Sequence, residues 1–264
     1  EIFVQSEKAQ YHFPGNDMCW WPRERNFHSN NQVFYHYQSL LSLNNNDLGS
    51  LPLIVQTGEG PKMVITESDL NDYPGMWIRG TEGTSLTMAH PGFPKVTEQV
   101  GDREVYVRKT ENYIAKTSGN RTFPWRIFAI APHDADLITN QLTYLLASPC
   151  QLKDVSWIKP GKVSWDWWNA NNIFDVDFKA GLNTQTYKYY IDFAAKYKIS
   201  YIILDEGWYQ LGDLTKLNPD INMAELSRYA KQKGVGIILW VVWKTLDNPL
   251  NPAYAEFEKW GIKG

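Results

Sequence analysis

The stretch TQTYKYYIDFAAKYKISYIILDEGWY, residues 184–209, changes its period midway. In the first half Tyr187, Tyr190, Ile191 and Ala194 recur at the three- and four-residue steps of one helix face. In the second half the apolar run YIIL breaks into two adjacent carboxylates, a glycine and a tryptophan. A helix feeding a strand that is apolar on both faces is the pattern of a parallel sheet covered by helices. The same alternation stands on either side. GKVSWDWW (161–168) and VGIILWVVW (235–243) read as further strands. Pro219-Asp220 opens a helix carrying Leu226, Tyr229 and Ala230, and Lys231, Lys233 and Gly234 close it in the order the helix dipole and C-cap favour. PAYAEFEKWG is a third helix, running into GIKG. Strand starts near 162, 200, 235 and 262 give units of 38, 35 and 27 residues. A closed barrel of eight units in about 250 residues needs roughly 31 per unit. Three units and the start of a fourth cannot close a barrel, and an open apolar edge strand invites aggregation. The chain is therefore expected to be one piece of a longer polypeptide. A small doubly-wound sheet competes, but neither GxGxxG nor GxxxxGK[ST] follows any strand.

Upstream the texture differs. To about Ala131, turn residues (PGN, NNND, GEG, EGT, SGN) punctuate short segments such as QVFYHY, PLIV, KMVIT, MWIRG and EVYVRK, the composition of an antiparallel β domain. DADLITNQLTYLLA (134–147) has helical spacing of Leu137, Ile138, Leu142, Leu145 and Leu146, and reads as one connector helix ended by Ser148-Pro149. The expected organisation is a β domain over 1–131, a connector over 132–160 and a strand–helix domain over 161–264.

Bulk properties exclude some functions. With 26 basic against 29 acidic residues and no run of one sign, there is no electrostatic footprint for nucleic acid or an anionic membrane. No apolar run is long enough to span a bilayer, and no signal-peptide pattern follows Glu1. Cys19 and Cys150 are far apart and lack zinc-site spacing, and the five histidines have no metal-like spacing. Twelve Trp, fifteen Tyr and eleven Phe bring the aromatic share to 14%, which suits either a core of large side chains or faces for stacking on sugar rings.

In a βα barrel, chemistry sits at the C-terminal strand ends. Here those ends carry Asp166 and Trp168, then Asp205, Glu206 and Trp208, then Lys244, a cup of hydroxyl partners walled by tryptophan that suits a sugar. Each also has a plainer reading: Asp166 as a loop cap, Asp205 in a salt bridge, Lys244 as a solvated tail. Asp205 and Glu206 are not expected to be a catalytic pair, because neighbours on a strand point to opposite faces. A glycosidase aims both carboxyls at one bond, about 5–9.5 Å apart. They are better cast as hydroxyl acceptors, with Gly207 bending the chain so that both reach the mouth. In KMVITESDL, Glu67 could serve a hard cation or belong to a helix-capping ESD cluster.

The runs RTFPWRIFAIAPHDADLITNQLTYLLASP, DVSWIKPGKVSWDWWN, ILDEGWY and ILWVVWK resemble glycoside hydrolase family 97. That resemblance implies a β super-sandwich, of which the chain holds the C-terminal part, then the first three to four βα units of a catalytic (β/α)8 TIM barrel. It implies an exo-acting, calcium-requiring α-glycosidase, periplasmic or extracellular, acting on oligosaccharides together with the remainder of the same polypeptide. Glu67 matches the position where the N-terminal domain donates a calcium ligand. ILDEGWY is also similar to the strand end of α-galactosidase families 27 and 36, which implies sugar-hydroxyl roles for Asp205, Glu206 and Lys244 and a lean to retaining α-galactoside hydrolysis. An inverting α-glucosidase, or a non-catalytic carbohydrate-binding module, remains the alternative. By the same resemblance the nucleophile and general acid lie beyond Gly264, so no residue here is expected to be catalytic.

Overall fold

A computed structural model describes residues 1–264 except Asp102, 248–251 and Gly264. The chain divides into two compact units, Glu1–Glu98 with Val105–Gln151, and Gln99–Glu104 with Leu152–Gly264.

The first unit is built on a nine-stranded antiparallel sheet. Its order runs Trp125–Ala131, Lys62–Ser68, Leu53–Gln56, Met18–Glu24, Leu48–Gly49, Trp77–Arg79, Ser85–Ala89 and Gln10–His12, with Tyr35–Ser39 also paired to Met18–Glu24. The register of its longest ladder runs from Trp125 opposite Ser68 to Ala131 opposite Lys62. Strand parity sets the core: Leu53 and Val55 point inward while Ile54 and Gln56 do not, and they join Cys19, Trp21, Ile65, Ile78 and Leu86 in one cluster. The expected segments PLIV, KMVIT and MWIRG all fall on strands of this sheet. Cys19 lies buried there with its thiol pushed up to about 12 by burial, Cys150 is exposed, and both are free thiols.

The connector departs from the single expected helix. Two short helical segments, Asp134–Ile138 and Leu142–Leu145, are separated by Thr139–Gln141. The Asn140 side chain accepts the Leu142 N–H at 3.0 Å, so a local side-chain bond takes the place of a continuing helix ladder. Ile138, Tyr144 and Leu145 are exposed.

In the second unit three parallel strands, Val163–Trp165, Tyr201–Leu204 and Gly236–Leu239, lie side by side in chain order. Lys263 donates its backbone N–H to Ile237 O at 2.9 Å, so the chain returns to the sheet beside the third strand. Helix Thr184–Lys196 begins at Asn183, whose side chain caps Thr186 N, and helix Met223–Lys233 begins at Asn222, which caps Glu225 N. That start lies a few residues past the expected Pro219-Asp220 because those two residues sit in the preceding turn. Gly234, left-handed at φ 71°, closes the second helix as expected. The helices pack on each other, with Tyr229 donating to Asp192 and Lys188 pairing with Glu225. Their apolar faces (Tyr187, Ile191, Leu226, Ala230) and the strand residues Ile202, Leu204, Ile237 and Leu239 make one core. Consecutive strands are neighbours, and both helices pack into the same core with them.

Ile191 is fully buried between helix and sheet. Ile191→Ala should lower unfolding stability by about 2–5 kcal/mol through lost burial plus a residual cavity, read by urea denaturation. A loss below about 1 kcal/mol would mean that this face is not the core.

Candidate functional site

All three strands are shorter than the sequence suggests, and the polar residues lie just past their ends. The first stops at Trp165, and Asp166–Asn169 turns as a 3-10 helix. The second stops at Leu204, so Asp205 and Glu206 lie in a turn. Strand parity therefore does not separate them, and both carboxylates line one cavity of about 330 Å3 with Trp167, Ala170, Asn171, Gly181 and Leu182. Gly207 makes the bend at φ 108°, where an added Cβ would stand 2.4 Å from Leu182 Cδ1.

Asp205 is held tightly. Its Oδ2 accepts from Trp165 Nε1 at 2.5 Å and its Oδ1 from the Glu206 N–H at 2.6 Å. Asp166 sits beneath, only 1% exposed. Its Oδ2 accepts the Tyr187 hydroxyl at 2.7 Å and its Oδ1 the Asp205 N–H at 3.3 Å. Burial raises the Asp166 carboxyl above its ordinary range, against the lowering effect of those bonds. Asp166 is thus a positioning residue under the turn, and the expectation that it faces a sugar is corrected.

The aromatic wall also differs from expectation. Trp208 is fully buried, and its indole N–H donates to Trp240 O at 2.8 Å, so it belongs to the core. Trp167 lines the cavity and stacks on Trp165 at 5.4 Å, while Trp168 stands edge-on to both at 75% exposure and does not line the cavity. Lys244 lies on the short helix Trp243–Leu246, past the third strand, where its ammonium donates to Gln99 Oε1 and not into the cavity.

Two residues that the sequence pattern did not single out reach this site. Arg103 places one guanidinium nitrogen 2.9 and 3.0 Å from the two Glu206 oxygens and lies over the Trp240 ring at 5.9 Å. Arg103 precedes Glu206 by 103 positions, so no local pattern links them. Asn171 follows Ala170 in a left-handed turn, φ 57° and 51°. The NANN run signals such a turn, since Asn tolerates that conformation, but not what it faces.

Glu67 lies on strand Lys62–Ser68, not in a helix cap. Its Oε2 meets Arg126 at 2.5 Å and both oxygens accept the Met76 N–H at 3.0 Å. Arg126 also grips Glu7 at 2.7 and 2.9 Å, beside buried His90. Burial holds the Glu67 carboxyl above its ordinary range; for Glu7, burial is outweighed by the Arg126 bonds, which hold it below. Two carboxylates thus share one guanidinium. Among the described residues no three His, Cys, Asp or Glu side chains come together as a complete metal site.

Family models match both parts of the chain: "Glycosyl-hydrolase 97 N-terminal" over residues 1–149 and "Glycoside hydrolase 97" over residues 167–264. The chain belongs to glycoside hydrolase family 97. A retaining alpha-galactosidase of Bacteroides thetaiotaomicron is 40% identical over 275 residues, covering 99% of this chain and 42% of the relative. A probable retaining alpha-galactosidase of Streptomyces bingchenggensis is 30% identical over 155 residues, which is 56% of this chain and 23% of that protein. The chain thus spans less than half the length of these curated relatives. A family 97 enzyme from Pseudoalteromonas sp. strain K8, solved with acarbose, shares the fold at a TM-score of 0.79 and 24% identity, over 98% of this chain and 39% of its own.

In this family 97 chain, Tyr187→Phe removes the hydroxyl from buried Asp166 and should cost about 1.5–3 kcal/mol, read by urea denaturation. The pH dependence has a definite sign. The folded chain keeps the Asp166 proton above the ordinary value of 3.8, at which the unfolded chain releases it, so this group's stabilisation is full below 3.8 and is lost as pH rises through the folded pKa. Asp166→Asn should abolish that part of the slope; an unchanged profile from pH 3 to 7 would show that Asp166 does not titrate this way.

Proposed function

We propose that this chain is the N-terminal part of a calcium-dependent retaining α-galactosidase, comprising part of a β-sandwich and the opening units of a (β/α)8 barrel. The observation that carries the reading is the joint presence of Asp205, Glu206 and Trp167 around one cavity at the strand ends. Acceptor carboxylates beside an indole face provide what a sugar ring requires, hydroxyl partners and an apolar stacking surface. The 40% identity to a retaining alpha-galactosidase along 99% of the chain supports the same substrate class. Three parallel strands in chain order, alternating with helices, are compatible with the opening of a barrel.

In this reading Asp205 and Glu206 bind sugar hydroxyls, and the nucleophile and acid come from strands beyond these three. Arg103 bonds both Glu206 oxygens, the same atoms that a sugar hydroxyl would seek. The pair is about two-fifths exposed on each side, so water screens it and an incoming hydroxyl can share or displace it at small cost. A periplasmic or extracellular location suits an oligosaccharide substrate, and no helix among the described residues is long and apolar enough to cross a membrane.

Calcium fits the first unit as a ligand set completed from elsewhere. The Glu7–Arg126–Glu67 cluster holds one more negative charge than positive, and Glu67 is the member that burial destabilises as an anion. A cation needing six to eight oxygens would take Glu67 as one donor and supply a fixed positive charge. Glu67→Gln in the full-length enzyme should lose its calcium-dependent rise in melting temperature and its heat of binding on calcium titration. Retention of both would remove the metal assignment.

For the sugar site, Asp205→Asn and Glu206→Gln should each raise KM for an aryl α-galactoside about 10–100-fold, as expected for losing a charged hydrogen bond. The first sugar released should be the α-anomer by NMR. Collapse of kcat with rescue by azide or formate would instead make either residue a catalyst.

A further inference from the structure

Asn171 has been given no role so far, yet it is the one neutral polar side chain lining the cavity with Asp205 and Glu206. Its Oδ1 is buried and has no hydrogen-bond partner. Buried polar atoms are rarely left in that state, because a group stripped of water and given no partner is destabilising. The backbone that presents it is also unusual, with Ala170 and Asn171 both left-handed and held from below, the Ala170 N–H donating to Trp167 O and the Asn171 N–H to Asp166 O, each at 3.2 Å. Strain of this kind persists where surrounding structure enforces it, and it gathers at binding sites. The floor that enforces it is the turn whose first residue, Asp166, also holds the Asp205 backbone. One buried carboxylate residue therefore orients Asp205 through its side chain and Asn171 through its carbonyl.

The chemistry of the cavity lacks what Asn171 can add. Ionised Asp205 and Glu206 only accept hydrogen bonds, whereas a sugar hydroxyl both donates and accepts. A carboxamide does both, and its terminal torsion is soft enough for the amide to turn toward a ligand. At about 330 Å3, the open cavity lies within the size range of small-molecule sites.

We propose that Asn171 is a specificity-determining residue of the sugar pocket, using its amide to read one hydroxyl of the terminal sugar through a donor–acceptor pair that the two carboxylates cannot provide. The proposal rests on the sugar-site reading given above and adds to it a residue and the group that residue reads.

The test is a cycle between enzyme and substrate in the full-length protein. Asn171→Gly deletes the amide while tolerating the left-handed backbone, and Asn171→Asp keeps the shape but removes the donor. Aryl α-galactosides lacking the 2-, 3-, 4- or 6-hydroxyl are compared with the parent sugar by kcat/KM. Asn171→Gly should lower kcat/KM for the parent about 10–100-fold and should cost nothing further on one deoxy sugar, the one lacking the hydroxyl that Asn171 reads. Asn171→Asp should fall between the two. An equal loss on every substrate, or no loss on any, overturns the proposal even with an active wild type. If the wild-type enzyme turns over no α-galactoside, the substrate reading itself fails, and the inference fails with it.

Discussion

The second unit depends on how a single buried carboxylate is satisfied. Asp166 follows the first strand, its side chain takes the hydroxyl of Tyr187 from the first helix, and it also receives the backbone N–H that follows the second strand. Three consecutive pieces of the βα alternation meet at one residue that water does not reach. A charge in that position is tolerated only because its oxygens are occupied, and its raised pKa shows that the compensation is incomplete. An aliphatic residue there would spare the desolvation cost but leave the Tyr187 hydroxyl and the Asp205 N–H unpaired. What the carboxylate secures is position, because the turn carrying Asp205 and Glu206 is hung from it.

That arrangement explains which parts of the fold were legible in the sequence. Helices announce themselves by period and caps, and Asn183, Asn222 and Gly234 do what their chemistry prescribes. The parallel strands are visible as apolar runs, and sequential strands joined through a helix pair as neighbours. Less visible is where each strand stops. Ends of strands are decided by side chains such as Asp166 and Trp165, which bond across to other elements, and pair partners forty residues away leave no local pattern. The connector helix failed for a related reason, since one asparagine offered a local bond that periodicity cannot weigh against a helix turn.

The aromatic content illustrates the same limit. Trp21, Trp208 and Tyr187 are fully buried, whereas Trp167, Trp168 and Trp243 are more than half exposed. Composition cannot divide these groups, because an indole suits either setting. Trp208 finds the carbonyl of Trp240 and becomes core. Trp165 finds Asp205 and so links the aromatic wall to the polar turn. The core reading of the aromatic content thus holds for Trp21, Trp208 and Tyr187, while the exposed indoles stand outside it.

The two acidic clusters show how charge balance separates a structural pair from a binding one. Around Arg126, two carboxylates compete for one half-buried guanidinium, and the excess charge raises the cost of keeping Glu67 ionised. Around Glu206, an exposed guanidinium meets an exposed carboxylate, with the Asp205 carboxylate beside them. A buried surplus of negative charge favours a cation that can replace lost hydration, since the field there is weakly screened. An exposed pair favours nothing strongly and can be opened by a ligand that offers hydroxyls to the same oxygens. The first cluster is therefore a tightly bonded, poorly hydrated network, and the second an exposed pair that water screens.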